Sequence, residues 1–219
     1  MSQINGFDEL NIINEQEEKL SSFKLRSMPF DQYFGEMELT DEQKDERIAF
    51  AEALKPELLY IFALIDVMSE HESIDEAFLV AVLYEEYLKA IVNIDADSYI
   101  TSYVNTFAQD FINTTVKHMD EAYYTSDDRA TYVAENEANS IENYGDYTDA
   151  AAAGYTKKKW VTMHDAYVRD THSEAEGEIV GINEPFVVGD SLLMFPKDTS
   201  LGADASEIVN CRCSVEYIK

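Results

Sequence analysis

The stretch 206–219, "SEIVNCRCSVEYIK", carries both cysteines of the chain, Cys211 and Cys213, on either side of Arg212. Its residues alternate: Cys211, Cys213, Val215 and Tyr217 fall on one side, Arg212, Ser214 and Glu216 on the other. That period predicts a half-buried β-strand with both thiols turned inward. Two Cα atoms at i and i+2 of a strand lie about 6.5–7 Å apart, the outer edge of what a disulfide spans, so the pair reads as reduced. Free cysteine is among the most buried residue types, which favours a structural role. The competing role, a zinc site, needs two more ligands from among His71, His118, His164 and His172. Were 164–172 one helix, His164 and His172 would stand about 12 Å apart, too far to share an ion, so His164 would have to act from a loop.

Working outward from that strand, the last 65 residues hold two of four prolines, four of eight glycines and the short apolar runs "WVTM", "EIVGI", "PFVV" and "SLLMF". These are strand-sized pieces. Upstream, glycine is absent between Gly35 and Gly145 and proline between Pro56 and Pro185, so long helices are expected. One starts near Thr40 and Asp41; Pro56 kinks it or opens a second helix. Ser73 and Glu76 have capping-box spacing before another. Ile100, Tyr103, Val104, Phe107, Phe111 and Ile112 form an amphipathic stripe, and a further helix follows Ser126. The expected class is α+β: an extended or partly helical arm over 1–38, a helical domain over 39–150, and a small α+β domain over 151–219.

Charge is unevenly placed. Residues 1–155 hold 33 acidic against 9 basic side chains, residues 156–219 only 11 against 7, within a net charge of −28. Such a surface repels nucleic acid, so tight binding to DNA or RNA is not expected. The longest apolar run, "LLYIFALI", is far short of a membrane span, and the N-terminus lacks the pattern of a secretory signal, which points to a cytoplasmic setting.

If "DAYVRDTH" is helical, Asp165, Arg169 and His172 share one face at i, i+4 and i+7, with Thr171 turned away. A catalytic version makes His172 a general base and Arg169 an anion clamp; an ion-paired helix face is favoured. Lys157, Lys158 and Lys159 read as a solvated edge or a partner contact. Acid pairs such as Glu85 with Glu86, or Glu135 with Glu137, are expected by chance among 44 acidic residues.

The ordered series "GYTKKKWVTMHDAYVRDTH", Gly177, "NEPF", "LLMFPKD" and "ASEIVNCRC" resembles the C-terminal domain of the Mu F-like head morphogenesis proteins, the minor head (minor capsid) proteins of tailed bacteriophages, over roughly residues 130–215. "YFGEMELTDEQKDERIAFAEAL" is similar to the N-terminal part of some minor head proteins. The resemblance carries its motif positions onto Glu137, Trp160, Asp165, Arg169, His172, Gly177, Pro196, Glu207, Asn210, Cys211, Arg212 and Cys213. Some relatives have cysteines at the positions of Arg169 and His172, and a histidine shortly before the terminal Cys-Arg-Cys, a set that looks like a zinc site. This chain departs from that set. A salt bridge from Arg169 to Glu207 is the expected substitute, with no metal, no cofactor and no catalytic residue.

By resemblance the protein is a portal-associated, non-catalytic head component acting in procapsid assembly and DNA packaging or delivery. Its partner would be the phage portal protein, with scaffold or major capsid protein as further candidates. It would reside inside the capsid near the portal, and in the host cytoplasm during assembly. Larger relatives continue into toxin or nuclease domains; the six residues after Cys213 lead to the expectation of none here. Two other functions compete: a small nuclease or transferase using His172 and Arg169, and a zinc-stabilised interaction module.

Overall fold

The computed structural model describes residues 28–219. Among the described residues five helices come first: α1 (Phe30–Gly35), α2 (Asp41–Glu70), α3 (Glu76–Ala90), α4 (Ser98–Lys117) and, after a 3-10 turn at Ala122–Thr125, α5 (Asp127–Ala152). Then follow β1 (Lys157–Val161), α6 (Asp170–Ala175), β2 (Ile179–Gly181), β3 (Phe186–Val188), β4 (Ser191–Leu193), α7 (Ala205–Ile208) and β5 (Ser214–Ile218). The chain is α+β. Of the expected arm, residues 1–27 lie outside the described ones, while Phe34 and Met37 are buried in the helical core.

Local chemistry sets the helix starts. Thr40 Oγ1 accepts from the Gln43 N–H at 3.2 Å while Gln43 Oε1 accepts from the Thr40 N–H at 3.0 Å, a reciprocal capping box opening α2. Pro56 neither breaks nor restarts the helix: α2 is continuous through it. The carbonyl deprived of its partner belongs to Glu52, and both residues are exposed, so water can satisfy it. Phe50, Leu54, Leu58, Ile61 and Ile65 continue one buried stripe, with α2 packed on α3 and α5. At α3 the cap is Asp75, which accepts from the Phe78 N–H at 3.0 Å, rather than the expected Ser73. In α4 the expected stripe holds: Ile100, Val104, Phe111 and Ile112 are buried, with Tyr103 and Phe107 partly so.

α5 runs through Gly145 and ends at Ala152. A Cβ on Gly145 would come within 2.7 Å of the Ile94 side chain, so the glycine is where another segment lies against the helix. Beyond α5, β1 is the central strand of an antiparallel sheet ordered β2-β1-β5, with Trp160 opposite Val215, and β3 and β4 form a separate hairpin. Trp160, Ala175, Phe186, Val188, Leu193, both cysteines and Val215 make a second apolar cluster, distinct from the large helical one.

Three local expectations are corrected. The terminal strand begins at Ser214, because Asn210 takes a left-handed φ of 57° and the cysteines lie in an irregular segment before the pairing starts. Ser214 is itself buried. The 164–172 stretch is not one helix: His164 has φ 51°, and only Asp170–Ala175 is helical. Lys158 is no surface lysine. It is fully buried, with Nζ donating to the Met194 carbonyl at 2.6 Å above the rings of Tyr147 and Phe186, and burial lowers its pKa to about 8. Among the described residues no helix is long and apolar enough to cross a membrane.

Candidate functional site

His172 is the centre of the site. The short helix α6 carries it inward until it is 2% exposed, edge-on to Trp160 at 5.6 Å between ring centres. Its Nδ1 lies 3.3 Å from Cys213 Sγ and 3.6 Å from Cys211 Sγ, and its Nε2 lies 3.1 Å from Glu207 Oε2. Thr171, expected to turn away, donates through Oγ1 to the same Glu207 oxygen at 2.7 Å. Gly189, in the β3–β4 turn with φ 58°, presses against this carboxylate: a Cβ there would sit 2.9 Å from Glu207 Oε1. Glu207 is thus held by two donors and a backbone wall.

The two thiols are unequal. Burial by itself raises the pKa of Cys211, but hydrogen bonds from Cys213 and His172 outweigh it and hold this thiol well below the ordinary range. Cys213, sharing its hydrogen bond with Cys211 and also buried, is pushed well up. The Cys213 N–H donates to Cys211 Sγ at 3.4 Å, which places the favoured thiolate on Cys211.

The expected Arg169–Glu207 salt bridge is absent. Arg169 Nη2 donates to the Val209 carbonyl, and Glu207 is taken by His172 and Thr171. The ion pair that does form joins Asp165 to Arg212 at 2.6 Å, tying the 164–169 loop to the Cys-Arg-Cys segment. Gly177 supplies a φ of 76° after α6, and its N–H donates to the Trp160 carbonyl at 3.0 Å.

α5 holds the cysteine segment from the other side through residues the sequence reading passed over. Asn139 Nδ2 donates to the Cys211 carbonyl at 2.9 Å; Asn143 Nδ2 donates to those of Cys213 at 3.4 Å and Pro196 at 3.3 Å. Lys197 donates to Asn136 at 3.1 Å, and Tyr132 to Asn210. The asparagines recur at 136, 139 and 143, a helical polar stripe that was legible as a spacing. Asn139→Ala leaves the Cys211 carbonyl and one Arg47 N–H buried without partners, an expected loss of about 1–3 kcal/mol in urea unfolding. Faster reaction of Cys211 with a thiol reagent should accompany it.

Glu137 is not brought to this cluster. Its Oε2 accepts from Tyr87 at 2.8 Å and Tyr103 at 3.0 Å, and burial raises its pKa. It borders a separate cavity of about 700 Å³ between α4, α5 and the 197–210 segment. None of Arg169, His172 or the cysteines lines that cavity. His118 pairs with Glu121, His164 lies 3.7 Å from Glu176, and His71 ends α2. Among the described residues, the group whose ligand atoms converge is His172, Cys211 and Cys213, all within 4.8 Å of one another.

The NAD(+)--arginine ADP-ribosyltransferase EFV of Enterococcus faecalis (strain ATCC 700802 / V583) is 32% identical over 95 residues, which are 43% of this chain and 19% of that protein. The chain therefore covers about a fifth of that relative's length. No solved structure matches the chain. A family model described as Phage Mu protein F like protein matches residues 107–216, a span from mid-α4 into β5 that contains the whole thiol, imidazole and carboxylate cluster. With half its length under that model, the chain belongs to the phage Mu protein F-like family and is a bacteriophage head protein.

Proposed function

We propose that the protein is a non-catalytic minor component of the head that docks on the portal protein during procapsid assembly and serves DNA packaging or delivery. It would act in the host cytoplasm while the head forms and then stay inside the capsid near the portal. The observation that carries this reading is the enclosure of the His172 cluster. Both cysteines are 3% exposed, and the void beside them has a volume of about 10 Å³, room for roughly one water and not for a substrate. A buried imidazole between thiol and carboxylate then serves to join α6, α7 and the Cys-Arg-Cys segment. The net charge of −28 also suits a protein that works beside packaged DNA without adhering to it.

Co-expression with the portal protein of the same phage should give a complex that survives gel filtration. Heads assembled without this protein should package or deliver DNA poorly.

The enzyme reading draws on two observations: His172 has a thiol on one nitrogen and a carboxylate on the other, and a relative bears a transferase name. It requires turnover, whether NAD consumption or nucleic-acid cleavage, that disappears in His172→Asn. Such turnover together with no portal complex would replace the assembly reading.

A further inference from the structure

We propose that His172, Cys211 and Cys213 form a binding site for one zinc-like divalent cation, with Glu207 as the outer group that orients the imidazole. Thiolate and imidazole are the donors that select zinc over magnesium or calcium. In a tetrahedral site with Zn–S of about 2.3 Å and Zn–N of about 2.0–2.1 Å, ligand nitrogen and sulfur stand about 3.5 Å apart. Here the two N···S separations are 3.3 and 3.6 Å, close to that spacing, and the three ligand atoms all lie within 4.8 Å of one another.

The surroundings fit a ligand histidine. A metal-bound imidazole almost always gives its other ring N–H to a carboxylate or carbonyl, which fixes its orientation. Nε2 of His172 has that partner in Glu207, itself held by Thr171. Two thiolates neutralise a dication; around them Glu207 faces His172, Arg212 is paired with Asp165, and Arg169 and Lys197 add positive charge that favours the thiolate form. The backbone on both sides of the ligands is fixed by Asn139 and Asn143, which preorganises the sulfurs. The small void bordering the ligands, flanked by Met163, Tyr167 and Val168, leaves a fourth position for a single water. A clamp made this way ties α6 to the end of the chain, whatever the protein's partner in the head.

The test is titration of Co²⁺ alone into the full-length, reduced, chelator-treated protein. The expected result is one equivalent bound, with the visible bands and thiolate-to-cobalt charge-transfer absorption of a tetrahedral site, displaced by Zn²⁺. Cys213→Ser and His172→Asn should each abolish those bands, with circular dichroism verifying that each variant is folded. Glu207→Gln should keep the stoichiometry and weaken Co²⁺ affinity about 10–100-fold. Because the wild-type titration stands by itself, a variant that fails to fold does not rescue the idea. A folded wild-type chain with both thiols titratable and no cobalt spectrum overturns it, as do bands that persist in folded His172→Asn.

Discussion

Arg47→Ala costs the fold about 3–5 kcal/mol, the penalty for breaking a buried ion pair from one side. The guanidinium is fully buried and spends its donors in four directions: the Gln43 carbonyl at 3.1 Å, Asn139 at 3.3 Å, Asn143 at 3.0 Å and Asp146 at 2.8 Å. It joins α2 to the face of α5 that in turn holds the carbonyls of Cys211 and Cys213. Removing it orphans Asp146 and takes away the cation that lowers the pKa of Glu142. Arg47→Lys should fall between, because an ammonium keeps the charge but cannot reach four acceptors in fork geometry. Urea unfolding followed by circular dichroism gives the numbers; an alanine variant within about 1 kcal/mol of wild type would mean that Asp146 and the asparagines find water instead.

What was legible in the chain followed the range of the interaction. Thr40 and Gln43 cap α2 within four residues, and the α4 stripe needs only its own period, so both could be read locally. The apolar runs after Gly154 each became a strand for the same reason. The 164–172 stretch misled because Asp165, Arg169 and His172 imitate helical spacing. The preference that won is an Asx turn, Asp165 accepting from the Tyr167 N–H at 2.9 Å, together with the left-handed His164. At the site, His172 and the cysteines were each recognised as chemistry-bearing, but His172 meets Cys213 across 41 positions and Arg47 meets Asn139 across 92. No local pattern encodes such pairs. The Arg169–Glu207 pairing failed on geometry that only the fold supplies: Glu207 faces His172, and Arg169 faces a backbone carbonyl.

Acidification should stabilise this protein across the range where many proteins are indifferent to pH. Burial raises the pKa of Glu135 from 4.5 to about 8, against the opposing pull of Lys55, and that of Glu142 from 4.5 to about 7. Between pH 4.5 and those values the folded chain keeps protons that the unfolded chain releases, so stability is full below about 4.5 and declines as pH rises through the window. Each such carboxyl costs about 1.4 kcal/mol per pH unit while it stays protonated only in the fold. Glu137, raised in the same direction, adds to the trend, whereas the lowered thiol of Cys211 opposes it. Lys158 does not enter: with its pKa lowered to about 8 it is protonated in both states below that pH, and its effect, stability rising with pH, begins above it. Glu142→Gln separates these contributions. The amide removes the burial cost of the charge, so the variant should gain about 2–3 kcal/mol over wild type at pH 8 and nothing at pH 4.5. Thermal unfolding of both proteins at the two pH values reads this directly, and an equal change at both would show that Glu142 ionises in the fold as it does in the unfolded chain.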